Sequence, residues 1–192
     1  MKGICQGQSM DPQGKGIDMK KLGWVCALLF TLTGCLGVPE PVVPVQGFDL
    51  QRYLGTWYEI ARLDHSFERG MEQVTAEYAM REDGGVQVIN RGFLPEKNQW
   101  KEAEGKAFLV GRPSEGYLKV SFFGPFYGSY VIFHLDKDNY GYAFVCGPDT
   151  SYLWLLSRHP TVDEEVLNAF VSTSKALGFN TDELIYVNHA SR

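Results

Sequence analysis

Few side chains in this sequence are placed for bond-making chemistry. The four histidines, His65, His134, His159 and His189, are scattered without metal-ligand spacing. There is no Gly-x-Ser-x-Gly elbow and no paired-cysteine redox motif, so the chain reads as a non-enzyme without a cofactor or metal. Cys146 follows Val145 in a strand-like run, the setting of a buried small apolar residue rather than a reactive thiol. Two residues ask for other chemistry. Cys35 ends the apolar run that closes on Leu32-Thr33-Gly34, and Glu59 is a carboxylate within a run of strand-forming residues.

The front of the chain accounts for Cys35. Lys20 and Lys21 precede Leu22 to Leu32, an apolar run of about 11 residues. That is within the roughly 7–15 of a signal-peptide h-region and short of the roughly 20 that span a membrane. Gly34, Gly37, Pro39, Pro41 and Pro44 follow at once and the run carries no amphipathic stripe, which argues against a core helix. Met19 stands directly before Lys20, so residues 1–18 read as an upstream extension and residues 19–34 as the signal peptide. Leu32-Thr33-Gly34-Cys35 resembles, at each position, the cleavage and lipidation signal of bacterial lipoproteins. That resemblance implies a diacylglyceryl group on the Cys35 sulfur and an acyl chain on its amino group, where each buried methylene contributes about 0.8 kcal/mol to anchoring. Leu36 rather than Asp follows the cysteine, which in those proteins points to the outer membrane. The expected location is therefore the cell outer membrane, lipid-anchored on the periplasmic face.

Cleavage before Cys35 takes 34 of the 192 residues and leaves 158, enough for one domain with a real core. Lys2, Lys15, Lys20, Lys21, Asp11 and Asp18 go with the leader, so 14 basic residues face 21 acidic ones and the net charge is −7. An acidic chain without a basic stripe is a poor nucleic-acid binder. Cys5 and Cys26 also leave, and with Cys35 acylated no disulfide partner remains for Cys146. Residues 35–47 are spaced by prolines and read as an extended, semi-stiff tether that holds a domain of residues 48–192 off the bilayer.

From Trp57 onward, short β-branched and aromatic runs alternate with turn signals such as Asp83-Gly84-Gly85, Gly124-Pro125 and Gly147-Pro148-Asp149. Eight runs can be counted: 56–63, 74–81, 86–93, 104–110, 117–123, 129–135, 140–146 and 152–157. Regular turns at this spacing predict an antiparallel, all-β sandwich or barrel built from hairpins. One stretch breaks the pattern. Thr161 can cap a helix to Leu177, with Asp163, Glu164 and Glu165 in its first turn, Gly178 after its end and an apolar face that lays it outside the sheet. A ninth strand, 184–187, follows.

Charge alternation assigns strand faces. Ala76, Tyr78, Val88 and Asn90 fall on the interior, with Leu118, Val120 and Phe122. Small residues at Ala61, Ala76, Gly92, Gly105 and Ala107 favour a cavity over a filled scaffold. An apolar chamber with a few polar points is the usual make-up of a small-molecule site.

Gly55-Thr56-Trp57-Tyr58 opens the first strand after the helical turn Asp49 to Leu54, Asp138-Asn139-Tyr140 stands before the seventh, and Arg158 ends the eighth. In this order they resemble the three signatures of the lipocalins. The stretches 55–62, 119–128 and 145–149 are similar to bacterial outer-membrane members of that family, and the resemblance covers about Phe48 to Val187. It departs at Asp138-Asn139, where the family has Thr-Asp, which touches the turn's hydrogen bonds and not the fold. The implied architecture is an eight-stranded up-and-down calyx with one outer C-terminal helix. Gly55, Trp57, Tyr140 and Arg158 are implied to be structural, with Arg158 stacked on Trp57 by a cation–π contact worth roughly 0.5–2 kcal/mol at the floor.

Counting by twos from Trp57 puts Glu59 and Ala61 inside, and counting back from Arg158 gives Leu156, Trp154 and Tyr152. If Trp154 and Tyr78 wall the chamber, an acyl chain is its natural occupant, gaining about 0.8 kcal/mol per buried methylene. The resemblance implies a fatty acid or a lysophospholipid held for storage or transport in membrane maintenance. The ligand-binding set expected is Glu59, Ala61, Tyr78, Asn90, Leu118 and Trp154. Glu59 must be paired or partly protonated there. The loop 64–70 overhangs the mouth, and surface solvation is the expected role of Arg62 and Arg69. Phe123, Phe126 and Tyr127 are expected to pack at the rim, and an unpaired rim leaves room for a homodimer. The competing reading is a membrane-anchored scaffold with no small-molecule ligand.

Overall fold

Runs of Val, Ile, Tyr, Phe and Trp extend because their side chains pack well on a pleated surface, and Gly, Pro, Asp and Asn between them turn the chain. The computed structural model describes residues 36–190, so the expectations for the upstream extension, the signal peptide and Cys35 lie outside the described residues. The strands are β1 (Gly55–Arg62), β2 (Glu72–Met80), β3 (Val86–Leu94), β4 (Gln99–Leu109), β5 (Tyr117–Phe123), β6 (Phe126–Leu135), β7 (Tyr142–Cys146), β8 (Leu153–Ser157) and β9 (Ile185–Tyr186). The first eight pair antiparallel in chain order, and β1 pairs with both β8 and β2, which closes an eight-stranded up-and-down barrel. Strand β9 adds to β1 from outside. Helix α1 (Leu50–Tyr53) precedes β1, and α2 (Glu164–Ala176) lies on the outer wall. This is the expected calyx with its outer helix and ninth strand.

Two apolar clusters hold it. Trp57, Tyr78, Val86, Val88, Leu118, Ile132 and Leu156 fill the lower barrel, and Val131, Phe144, Cys146, Leu153, Leu155 and Phe170 pack between the outer wall and α2. The Phe144 and Phe170 rings stand 5.1 Å apart. Cys146 is fully buried in this second cluster, and burial pushes its thiol up to about 12.

Three local expectations are corrected. Strand β4 starts at Gln99, five residues before the expected start, because its charged half pairs in register with Asn90–Leu94 and is tied by Arg91 to Glu102 at 2.7 Å. Hydrophobic alternation is blind to such a strand. Helix α2 is preceded by Asp163 as its N-cap, not by Thr161. The tether does not stand free either. The Val45 amide donates to the Ile132 carbonyl, the Gly116 amide donates to the Val45 carbonyl, both at 2.9 Å, and Val42 is buried in the outer cluster. Proline spacing keeps the segment extended, but its valines find an apolar seat on the barrel.

Candidate functional site

The two ends of the barrel differ. At one end Arg158 lies 4.0 Å over the Trp57 ring and donates to the carbonyls of Thr56, Arg52 and Leu54, each at 2.8 Å. The Trp57 indole donates to the Tyr53 carbonyl. Gly55 has φ +93°, and a Cβ there would stand 3.4 Å from the guanidinium, so the site favours glycine on both counts. The Tyr140 hydroxyl accepts from the Asp49 amide at 2.9 Å, and Arg52 stacks on its ring at 4.1 Å. The turn before β7 is organised by Asp136, which accepts from the amides of Asp138, Asn139 and Gly141. The four signature residues thus close the floor. Arg158→Ala is expected to lower stability by about 2–3 kcal/mol, the sum of a cation–π contact and charged hydrogen bonds. Thermal unfolding should show this loss, with ligand affinity changed less than about twofold in the fraction that remains folded.

Above the floor the barrel is crossed by three phenols. The Tyr130 hydroxyl meets those of Tyr53 at 2.7 Å and Tyr78 at 2.9 Å. Strands β2 and β6 stand opposite each other in the ring, so the Tyr78 and Tyr130 side chains meet across its middle. Burial holds all three phenols well above their ordinary range, hence neutral. Leu118 pairs with Tyr130 in register and lies at the same level.

The wall changes character above this ladder. Ala103 faces inward, because it pairs with Asn90, which pairs with Ala76, and cross-strand partners share a face. Yet Ala103 is exposed, and Ala76, Asn90, Val120, Phe122 and Trp154 are only half-buried. Side chains that point into a barrel and still meet solvent line an open chamber. The Asn90 side-chain oxygen is buried and has no hydrogen-bond partner. Two of the small residues expected to leave space do not. A Cβ on Gly105 would stand 2.8 Å from the Phe122 ring, and one on Gly92 would stand 2.8 Å from the Met71 sulfur, so these glycines make room for larger neighbours.

Glu59 is interior and 4 % exposed, as the alternation predicts, but Ala61 is not interior. The β1–β8 register slips between Glu59 and Ala61, and this bulge turns Ala61 out into the cluster under α2 and Arg62 inward. Arg62 is therefore not a solvated surface residue. It is 1 % exposed, donates to the Glu59 carboxylate at 2.8 Å and to the Glu68 carbonyl at 2.9 Å, and has its Nε 3.9 Å from the Glu68 carboxylate. The Trp154 indole donates to the same Glu68 carboxylate at 3.2 Å. Burial, then the charge of Glu68, push the Glu59 carboxyl well above the usual range against the pull of Arg62. Burial raises Glu68 as well. One guanidinium thus faces two carboxyls in an apolar wall, and a proton on one of them makes the cluster neutral. Arg69, by contrast, pairs with Asp64 at 2.6 Å on the surface, as expected.

Glu59, Tyr78, Asn90 and Trp154 therefore converge on the barrel interior. Leu118 lies at its base, and Ala61 is elsewhere. Sequence reading missed Arg62, Glu68, Tyr53, Tyr130 and Ala103. A charge at Arg62 next to an interior Glu59 was the one available signal.

A closed eight-stranded barrel, an arginine-capped tryptophan floor and an interior chamber define the lipocalin class, and the chain belongs to it: residues 48–189 match the lipocalin-like domain family. That family is one of binding proteins for small hydrophobic molecules rather than of enzymes. Among curated relatives, the outer membrane lipoprotein Blc of Vibrio cholerae is 64% identical over 163 residues, 85% of this chain and 94% of that protein. The protein of the same name from Escherichia coli K12 is 52% identical over 149 residues, 78% and 84% of the two chains. These identities place the chain among outer membrane lipoproteins. Insecticyanin of Manduca sexta shares the fold, with a TM-score of 0.65 at 22% identity over 81% of this chain and 88% of its own.

Proposed function

We propose that this protein is anchored to the outer membrane through acylated Cys35, on the periplasmic face, and holds a fatty acid or a lysophospholipid in its barrel for storage or transport in membrane maintenance. The observation that carries the reading is the chamber above the tyrosine ladder, whose inward-facing Ala76, Asn90, Ala103, Val120, Phe122 and Trp154 stay open while the barrel below is packed. An acyl chain takes the apolar space, with Tyr78 and Leu118 at its lower end and Trp154 along its side. The head group lies toward Asn90 and the Glu59 cluster, where an unpartnered carbonyl oxygen offers an acceptor.

The test is extraction of the purified, acylated protein with organic solvent and mass spectrometry of the lipids recovered, beside a titration of tryptophan fluorescence with a fatty acid and a lysophospholipid. Stoichiometric acyl lipid is expected. The titration should saturate, lose its signal in Trp154→Phe, and weaken by about tenfold for every two methylenes removed. A clean extract with no response to either lipid would leave the scaffold reading instead.

A further inference from the structure

The barrel has a second concave site, on its outer wall. Strands β1 and β2 pair only from Gly55–Tyr78 to Tyr58–Thr75, and beyond that row they part. The C-terminal segment enters the gap. Arg62 and Ala61 pair with Ile185 and Tyr186, the Val187 amide donates to the Ile60 carbonyl at 2.9 Å, and the Gln73 amide donates to the Asn188 carbonyl at 2.8 Å. Beside this segment lies a groove of about 370 Å³, lined by Tyr58, Gln73, Thr75, Arg91, Trp100 and His189. Its volume is at the lower end of the range for small-molecule sites. Thr75 pairs with Tyr58 on one side and with Arg91 on the other, and cross-strand partners share a face. Their neighbours Ala76 and Asn90 face inward, so the groove and the chamber lie on opposite sides of the same strands.

The walls of the groove are fixed by the fold. Arg91 donates to Glu102 at 2.7 Å and lies 3.4 Å from Glu77, so its charge is already met. The His189 Nε2 donates to the Glu59 carbonyl at 2.8 Å, and its ring meets Tyr58 edge-on at 5.4 Å. The Trp100 ring leans on Phe93 at 5.5 Å and stays 56% exposed. Phe123 and Phe126 are exposed too, standing out from the β5–β6 hairpin instead of packing at the rim as the sequence suggests, but Trp100 borders a hollow with polar walls. Gln73 has φ +53°, in the left-handed region that favours glycine, at the register slip between Glu72 and Thr75. Bulges re-aim side chains, and such strain at a non-glycine residue clusters at binding sites. Glycine would suit this backbone better and would take the carboxamide out of the groove.

We propose that this groove binds a neutral saccharide, with one pyranose ring laid on Trp100 and its hydroxyls met by the Gln73 carboxamide and the hydroxyls of Thr75 and Tyr58. A pyranose has an apolar face of C–H groups and a rim of hydroxyls that both donate and accept. An exposed indole covers the first, and carboxamides and hydroxyls, which also do both, suit the second. An anion is disfavoured because two carboxylates already hold Arg91, and an acyl chain is disfavoured because it leaves the polar wall without partners. The two sites are separate, so the domain can hold a glycan on its wall whatever its interior contains.

The experiment uses the full acylated protein in phospholipid nanodiscs, with 5-fluorotryptophan incorporated. The probes are maltotriose, cellotriose, triacetylchitotriose and, as an anionic comparison, a hyaluronan tetrasaccharide. At least one neutral probe is expected to shift the fluorine signal of Trp100 saturably and to leave those of Trp57 and Trp154, within the barrel, in place. Calorimetry with that probe should show affinity falling about tenfold or more in Trp100→Ala and in Gln73→Gly. Gln73→Gly should keep or raise the melting temperature, and both variants should retain the acyl-lipid titration of the chamber. No shift from any probe, a shift from the anionic probe alone, or an affinity unchanged in either variant overturns the proposal and leaves the reading of the chamber as it stands.

Discussion

Arg62→Met is expected to destabilise the domain by about 3–5 kcal/mol, a fall of about 10 °C or more in melting temperature at neutral pH, although it only exchanges one long side chain for another. Arg62 is the cation between Glu59 and Glu68, and all three are buried. Without it, two carboxyls remain in an apolar wall with nothing of opposite charge, and each must then stay protonated or draw water inward. The loss also reaches the mouth, because the guanidinium donates to the Glu68 carbonyl and so ties the β1–β2 loop to the barrel. Adding Glu59→Gln and Glu68→Gln to Arg62→Met should recover more than half of the lost stability, since replacing a buried ionic cluster as a whole is far milder than removing one partner. Denaturant unfolding of the single and triple variants reads this directly. A single-variant loss under about 1 kcal/mol would mean that water already screens the cluster.

That cluster also marks where the sequence stopped being legible. Alternation from Trp57 inward works for as long as each residue adds one step, and it places Glu59 correctly. The bulge after Glu59 adds one unpaired residue, so every later assignment on β1 is inverted: Ala61 goes out and Arg62 goes in. Only the charge at Arg62 hints at it, since Ile60-Ala61-Arg62 has neither Gly nor Pro to mark a bulge. Faces on β2, β3 and β5 were legible, because charged and apolar residues alternate cleanly through Glu77, Tyr78, Val88 and Lys119. The first half of β4 was not, because its charged residues are held by partners on a neighbouring strand that alternation cannot see. Tyr130 and Tyr53 escaped for a related reason: they belong to β6 and to a short helix, and only closure of the barrel brings their hydroxyls to Tyr78. Glu68 lies in a loop, where periodicity carries no face at all. The floor, in contrast, was legible through Trp57 and Arg158, whose roles came with the family resemblance and whose 4.0 Å contact the fold provides.

The β1–β2 loop carries a second buried ionisable group, and its titration should be readable as stability. His65 is 5% exposed and stacked between Phe67, at 5.3 Å, and Tyr152, at 4.9 Å, with the Trp154 ring 4.7 Å away. Its Nε2 has no hydrogen-bond partner. Burial, then the charge of Arg62, lower its pKa to about 4, and Asp64 and Asp149 only partly oppose this. In the unfolded chain the same imidazole takes its proton near 6.5. As pH falls from about 6.5 to about 4 the unfolded state therefore binds a proton that the native state refuses, and stability is lost across that window. Glu59 and Glu68 act with the opposite sign: their raised values make the native state bind protons first, so their contribution grows on acidification and is lost as pH rises through the folded values. The two effects mask each other in the parent protein, and the variant His65→Phe separates them by keeping the aromatic stack and removing the titration. The stability difference between His65→Phe and the parent is expected to be constant above pH 7 and to move in favour of the variant by about 3 kcal/mol, at most, by pH 4. In the variant the gain from the two glutamates on acidification is opposed by His134, whose pKa burial also lowers, so the comparison with the parent and not the variant alone isolates His65. A difference that stays flat from pH 7 to 4 would mean that His65 takes up its proton in the folded state as readily as in the unfolded chain, with the mouth loop opening to admit water around the ring.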